Sequence, residues 1–180
     1  MTSLADLPTN GASRIIYFGT PEIAVAPLRA LVDAGFNVEL VVTRPDVRRG
    51  RGKQTSACPV KVAAQELGLK ISQSASDAVA LVDSSKDLLG VVVAYGELIS
   101  MDVLSVVPMI NVHFSLLPRW RGAAPVERAI LAGDATTGVC IMRVVESLDQ
   151  GEVFNRVEIP IASTDTLNSL RQKLLDASLP

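Results

Sequence analysis

Residues that bind metals or form disulfides are scarce in this sequence. Its 180 residues include one histidine and two cysteines, Cys58 and Cys140, which lie far apart. Histidine and cysteine alone therefore cannot supply a zinc ligand set. Two cysteines allow one disulfide at most, and nothing else marks a secreted protein. No apolar run reaches the length of a bilayer span. We expect free thiols, no bound metal and no membrane contact, in a cytoplasmic protein.

A strong charge of either sign is also absent. The formal net charge is −2, so contact with a polyanion needs a local basic patch, and we expect no DNA partner. Residues 1–13 lack the basic start and the apolar stretch of a signal peptide, and we interpret them as a flexible tail. Because 48% of the residues are hydrophobic, residues 14–180 are expected to form one domain with a substantial core.

Short apolar runs alternate with helical patterns along the chain, which predicts an α/β fold. The predicted strands are 15–18, 38–43, 69–71, 88–94, 109–113, 138–145 and 152–161. The first predicted helix begins at Pro21, and the others are 59–67, 77–83, 100–106, 123–131 and 166–177. Since the run 88–94 is apolar apart from Gly90, it is typical of a strand buried on both faces. We therefore expect a Rossmann-like, mostly parallel sheet flanked by helices.

The turn after the first strand excludes a dinucleotide site. Phe18-Gly19-Thr20-Pro21 has one glycine where the fingerprint needs three, and Pro21 lacks the backbone donor that a phosphate would use. Functional groups in open α/β sheets gather at the carboxyl ends of strands, in the loops. Candidate site residues are therefore expected at the strand ends.

Asn111 and His113 lie at the end of the apolar run 109–113. They are two positions apart, so a strand presents both side chains on one face. A neutral hydrogen-bond donor then lies beside a group that titrates near neutral pH, as an acyl-transfer site requires. The alternative is a histidine that fills a polar gap in the core.

Asp149 belongs to a turn between two predicted strands. In the pattern Asp149-x-Gly151, an aspartate commonly bonds its own backbone. The alternative is a carboxylate that orients His113. Sequence spacing leaves both interpretations open.

A basic segment, residues 44–53, follows the second strand. Its glycines and Pro45 rule out a helix, so we expect a mobile loop. It could bind a phosphate backbone, or it could be a solvated surface loop. Trp120, flanked by Arg119 and Arg121, is open to two similar interpretations, stacking on a base or packing its own loop against the domain.

Several segments together resemble the folate-dependent formyltransferase family. The family pattern is Asn111-x-His113, then Ser115-Leu116-Leu117-Pro118, then Asp149-x-Gly151. Further segments are similar to the family members that act on methionyl-tRNA, and they are 18–21, 50–53, 59–62, 92–96, 119–125, 132–134 and 137–139. The resemblance extends from about Arg14 to the end of the chain.

The resemblance implies 10-formyltetrahydrofolate as the formyl donor and initiator methionyl-tRNA as the acceptor, for translation initiation. It implies a catalytic trio of Asn111, His113 and Asp149. Implied donor contacts are Val93, Ala94, Tyr95, Gly96, Glu97, Ser115, Leu116, Leu117 and Pro118. Predicted tRNA contacts are Arg44, Arg48, Arg49, Arg51, Lys53, Arg119, Trp120 and Arg121.

Other members of the family leave two alternatives open. These are a formyltransferase for an amino-sugar nucleotide and a non-catalytic folate- or RNA-binding module. The resemblance also implies a following β-barrel domain that residues 1–180 do not contain, and we expect a monomer. Ser115 lacks a second histidine to activate it as a nucleophile, so we expect it to bond within its turn.

Overall fold

The computed structural model describes residues 3–48, 55–85 and 87–179. The strands are β1 Arg14–Gly19, β2 Asn37–Val42, β3 Val47–Arg48, β4 Thr55–Ser56, β5 Ile71–Ser72, β6 Leu88–Val93, β7 Met109–His113, β8 Thr136–Arg143 and β9 Val153–Pro160. The α-helices are α1 Val25–Asp33, α2 Pro59–Glu66, α3 Met101–Leu104, α4 Pro125–Leu131 and α5 Leu167–Ser178. Two 3-10 helices, Glu22–Ala24 and Ala75–Leu81, complete the elements. The chain divides into two compact units, Met1–Met109 and Ile110–Pro180.

The first unit contains a parallel sheet in the order β5-β2-β1-β6. Ile15, Ile16, Tyr17 and Phe18 of β1 are at most 2% exposed, as expected for a central strand covered on both faces. The last residue of this strand, Gly19, has to be a glycine because a Cβ there would lie 2.8 Å from the Tyr17 ring. The predicted α/β, Rossmann-like fold is confirmed in this unit.

The second unit pairs its strands antiparallel, β7 with β8 and β8 with β9. The prediction of a mostly parallel sheet is confirmed for the fold, and these two pairings are antiparallel exceptions to it. A short connection joins β8 to β9, and a connection of that length cannot return the chain to the start of a parallel strand. Helix α5 begins with a capping box between Thr166 and Ser169, and it buries Leu170 and Leu174 completely.

Two further sequence predictions need correction. The basic segment is not a loop throughout, because Val47–Arg48 and Thr55–Ser56 pair as a short antiparallel ladder. The predicted helix 77–83 is the 3-10 helix Ala75–Leu81. The remaining strands and helices lie within a few residues of their predicted positions. Both cysteines are free, as expected, and both are buried. In the described parts of the chain, no helix is long and apolar enough to cross a membrane.

Candidate active site

Asn111 and His113 lie on strand β7, in the second unit. Asn111 pairs with Met142 of β8, and His113 pairs with Cys140. The two side chains lie on the same face, because residues two apart in a strand point the same way. His113 is 6% exposed. The low exposure of His113 agrees both with a catalytic histidine and with a histidine that fills a polar gap in the core. The groups that contact His113 have to distinguish the two.

Asp149 is the partner of both β7 side chains. Its Oδ1 accepts a hydrogen bond from Asn111 Nδ2 at 3.3 Å, and its Oδ2 lies 3.6 Å from His113 Nδ1. The side chains of His113 and Asp149 are 7% and 8% exposed. Asp149 has a φ of +50°, a left-handed conformation that aspartate tolerates better than most residues. The structure therefore brings together all three residues of the predicted catalytic trio.

The loop of residues 118–124, here called the Trp120 loop, bonds the trio through its backbone. His113 Nε2 lies 3.0 Å from the Trp120 carbonyl oxygen, and Gly122 N–H donates to Asp149 Oδ2 at 2.7 Å. A carbonyl group only accepts hydrogen bonds, so this contact assigns a proton to Nε2. The Nδ1 atom then faces the Asp149 carboxylate. These contacts come from the backbone, so no residue-type pattern in the sequence could have revealed them.

Asp134 holds the side chains at the start of the Trp120 loop. Its carboxylate accepts from Arg119 Nε at 2.9 Å, Arg119 Nη2 at 2.6 Å and Trp120 Nε1 at 2.7 Å. The Arg119 guanidinium also lies over the Trp120 ring, 4.3 Å from its centroid, in a cation–π contact. The hydrogen bonds from Arg119, and then from Trp120, lower the pKa of Asp134 below its ordinary value. Arg119 and Trp120 thus have partners within their own unit, as the packing interpretation of Trp120 requires.

A cavity of about 240 Å³ opens beside this cluster. It is lined by Leu116, Arg119, Trp120 and residues 134–137. It is large enough for a small planar group, and it has an arginine, an indole and a carboxylate at its wall.

Residues 115–118 mostly support the turn between β7 and the Trp120 loop. Ser115 is fully buried, and its Oγ donates to the Arg119 carbonyl at 2.6 Å, which confirms the bond predicted within this turn. Leu117 packs with Cys140 and Met142 in a buried cluster. The side chains of Ser115 and Leu117 are thus buried, whereas Leu116 lines the cavity and Pro118 is exposed.

The predicted donor segment 93–97 lies in the first unit, at the end of β6. Ala94 and Gly96 have left-handed φ values of +46° and +84°, and both are exposed. Tyr95 is buried, its carbonyl accepts from Thr20 Oγ1 at 2.8 Å, and burial raises its pKa to about 12. A left-handed alanine costs free energy and is retained where the surrounding structure or a ligand requires it. The exposed backbone of Ala94 and Gly96 is suited to hydrogen bonding with the edge of a flat heterocycle.

Arg44 and Glu97 contact each other in the same unit. Arg44 Nε lies 3.3 Å from Glu97 Oε1, and the Arg44 backbone N–H donates to Thr20 Oγ1 at 3.4 Å. Arg44 was predicted as a tRNA contact, and the structure places it against the predicted donor segment.

The other predicted tRNA contacts divide into three groups. Arg121 is exposed, and Arg48 has its backbone in β3. Arg49, Arg51 and Lys53 lie outside the described residues.

Comparison with known proteins decides the family. A family model described as formyl transferase matches residues 13–179. The chain belongs to the formyl transferase family. This formyl transferase chain is 46% identical over 170 residues to a methionyl-tRNA formyltransferase of Neisseria meningitidis serogroup C, covering 91% of the chain and 55% of the relative. It is 45% identical over 177 residues to a methionyl-tRNA formyltransferase of Cutibacterium acnes, covering 93% and 55%. The chain thus spans about half the length of these curated relatives.

Solved structures of formyl transferases share the fold. Phosphoribosylglycinamide formyltransferase from Bacillus halodurans matches with a TM-score of 0.70 and 21% identity, over 91% of this chain and 88% of that one. An N-formyltransferase from Helicobacter canadensis, in complex with folinic acid and dTDP-3-aminofucose, matches with a TM-score of 0.70 and 20% identity, over 92% and 59%. At these identities the likeness establishes the Rossmann-like fold of the family and nothing about substrates.

Proposed function

We propose that this chain transfers the formyl group of 10-formyltetrahydrofolate to the amino group of initiator methionyl-tRNA. The observation that carries the proposal is the contact of Asp149 with both Asn111 and His113, at 3.3 and 3.6 Å. Relatives at 45–46% identity that are named methionyl-tRNA formyltransferases support this choice of acceptor. Formylation of initiator methionyl-tRNA belongs to translation initiation, so we place the reaction in the cytoplasm.

Asn111 and His113 act on the carbonyl oxygen of the formyl group. The bound folate supplies a formyl carbon whose oxygen gains negative charge as the amine attacks. The Asn111 amide and the Nδ1–H of a protonated His113 are the donors for that oxygen, because Nε2–H is already bonded to the Trp120 carbonyl, and each contributes about 3–4 kcal/mol to transition-state stabilisation. Because the ring is held at Nε2 by Trp120 and faces Asp149 at Nδ1, its orientation is set before the substrates bind.

Asp149 has two tasks in this mechanism. Its carboxylate keeps the His113 ring oriented, and it lies 3.3 Å from Asn111 Nδ2, where it can take a proton from the attacking amine. A carbon–nitrogen bond to the acceptor forms, and the bond between the formyl carbon and the donor nitrogen breaks. One proton leaves the amine and one reaches the departing nitrogen. Asp149, directly or through a water molecule, mediates that exchange.

We assign donor binding to two segments. Segment 93–97 offers exposed backbone at Ala94, Gly96 and Glu97, suited to the edge of the pterin ring. Segment 115–118 contributes Leu116 and Pro118 by their side chains, and Ser115 and Leu117 through the turn that they hold in place.

Acceptor binding is assigned to the basic segment with Arg119, Trp120 and Arg121. The chain has a net charge of −2, so attraction to tRNA has to come from such a local patch. Because Arg119 already forms two hydrogen bonds to Asp134, we expect its contribution to be smaller than that of the basic segment.

The proposal is tested by offering one donor and two acceptors. Purified protein receives 10-formyltetrahydrofolate with either methionyl-tRNA or an amino-sugar nucleotide, and formylated product is measured for each. Transfer to methionyl-tRNA alone supports the proposal. Transfer to the amino-sugar nucleotide alone identifies the protein as a formyltransferase for amino-sugar nucleotides. Folate binding without transfer to either acceptor indicates a non-catalytic binding module.

A further inference from the structure

Asp134 occupies a rigid position at the end of α4. The helix ends in a Schellman motif, with Gly133 N–H donating to Ile130 O at 3.0 Å and Asp134 N–H donating to Ala129 O at 3.1 Å. Gly133 has a φ of +68°, which glycine adopts without steric cost. The backbone of Asp134 is therefore held by the helix itself.

The Asp134 carboxylate in turn fixes two side chains of the Trp120 loop. Arg119 and Trp120 together supply three hydrogen bonds of 2.6–2.9 Å to its oxygens. The carboxyl side chain is 13% exposed, and its pKa is lowered, so it stays ionised through the neutral range. Charge-assisted bonds in this paired geometry are among the stronger hydrogen bonds in proteins.

Trp120 is also the residue whose carbonyl holds the histidine. Its φ is +59°, a left-handed conformation that a tryptophan adopts only when surrounding contacts enforce it. The indole N–H bonds Asp134, while the carbonyl of the same residue lies 3.0 Å from His113 Nε2. Two residues later, Gly122 N–H bonds Asp149. One strained segment therefore contacts both His113 and Asp149, and Asp134 contacts that segment.

We propose that Asp134 is a positioning residue for formyl transfer, acting through Trp120 to hold the His113 ring with its proton on Nε2 and its Nδ1 towards Asp149. This inference rests on the proposed function for its kinetic consequences, but not for its structural ones. Without Asp134, Trp120 loses the partner of its indole. We then expect the left-handed backbone to relax and the carbonyl to leave His113. A misplacement of a catalytic group by about 1 Å costs on the order of 100-fold in rate.

Asp165 offers a matched control in the same unit. It too is a carboxylate with several partners, accepting from Lys173 Nζ at 2.7 Å, Ser169 Oγ at 2.8 Å and Ala162 N–H at 2.8 Å. Its side chain is 5% exposed, and its pKa is lowered mainly by Lys173. Asp165 has no contact with the trio among the described residues. An effect that arises from the loss of any networked carboxylate appears in both variants, whereas positioning of His113 changes only in the Asp134 variant.

The experiment uses the single histidine as its own reporter. Nitrogen-15 NMR of the tag-free protein shows only one imidazole, that of His113, at a pH where the ring is neutral. We expect wild type and Asp165→Ala to give the Nε2–H tautomer. We expect Asp134→Ala to give a mixture of tautomers, and Trp120→Phe a smaller change in the same direction. In formyl transfer, kcat is expected to fall about 10- to 100-fold for Asp134→Ala, with the donor KM within about threefold of wild type.

The outcomes separate the inference from the function on which it rests. If the His113 nitrogen resonances of Asp134→Ala equal those of wild type, the inference is overturned, whether or not the protein transfers formyl groups. If wild type formylates neither acceptor, the proposed function fails, and the NMR comparison still decides the role of Asp134. Should Asp134→Ala not fold, Asp134→Asn and Trp120→Phe carry the test, and wild-type resonances in both overturn the inference.

Discussion

The predicted catalytic trio and Arg44, at the start of the basic segment, differ in how firmly their polar groups are held. His113 and Asp149 have side chains that are 7% and 8% exposed, and backbone groups of one loop bond both. Arg44 and Glu97 are 49% and 39% exposed and touch at 3.3 Å. A solvated pair of this kind contributes little to stability, whereas the effect of a buried pair depends on its geometry. Backbone contacts therefore hold His113 and Asp149, whereas the Arg44 guanidinium meets Glu97 in a solvated pair.

This difference predicts two kinds of kinetic defect. Substitutions in the trio are expected to act on kcat and to be insensitive to salt, because the groups involved are shielded from solvent. Substitutions in the basic segment are expected to act on acceptor affinity and to depend strongly on ionic strength.

The largest effect is expected for His113→Ala. Loss of the charged donor at the formyl oxygen lowers kcat by about 10²–10⁴-fold. The measurement is steady-state formyl transfer to methionyl-tRNA at two salt concentrations, with folding of the variant checked by thermal unfolding. A folded variant with near-normal turnover removes His113 from the mechanism.

Asn111→Ala is expected to lower kcat by about 10²-fold, because one neutral oxyanion donor is removed. Asn155→Ala on the exposed strand β9 is the matched control, and it should retain wild-type kinetics. If both asparagine variants lose the same activity, the effect of Asn111→Ala comes from the fold and not from catalysis.

Removal of the positive charges of Arg48, Arg49 and Arg51 is expected to weaken acceptor use and leave the donor KM unchanged. The dependence of log(kcat/KM) for methionyl-tRNA on log[salt] should flatten by about 0.7–0.9 for each phosphate that the variant no longer neutralises. The measurement is kcat/KM at several salt concentrations.

A charge-matched control separates the effect of the basic segment from the effect of net charge. Removing the positive charges of Arg29, Lys70 and Arg156 changes the net charge equally, away from the basic segment. Equal salt slopes in wild type and the Arg48, Arg49 and Arg51 variant would assign the basic segment to the solvated surface.

The smallest effect concerns stability and pH at Asp165. Its pKa is lowered in the folded protein, chiefly by Lys173, so the ionised group stabilises the fold above its ordinary pKa of 3.8. That contribution disappears as the pH falls through the lowered value. The difference in unfolding free energy between wild type and Asp165→Asn should therefore be constant near neutral pH and shrink below about pH 4. Urea unfolding across this range measures it, and a difference that grows on acidification contradicts the ion pair.

Side-chain pattern predicted the parts of this protein that depend on residue type. Apolar runs located the strands β1, β6 and β7, and the two-residue spacing of Asn111 and His113 placed both on one face. Burial enforces that pattern, so it can be found in the sequence.

The parts that were missed depend on backbone groups and on contacts remote in sequence. The Trp120 carbonyl and the Gly122 N–H contact His113 and Asp149. Nearly every peptide unit has a carbonyl and an N–H, so nothing in the sequence distinguishes these two groups. The contact of Asp134 with Trp120 is seen only in the folded chain, because the two residues are 14 positions apart in sequence. The β3–β4 ladder is too short to give a periodic pattern in the sequence.

A double-mutant cycle on His113 and Asp149 tests most directly whether the trio acts as one unit in formyl transfer. Single-turnover transfer from 10-formyltetrahydrofolate to methionyl-tRNA is measured for wild type, His113→Ala, Asp149→Ala and the double variant. If His113 and Asp149 act as one unit, the double variant loses less rate than the product of the two single losses. Losses that multiply in the double variant, or a wild-type protein that transfers no formyl group, would contradict the account.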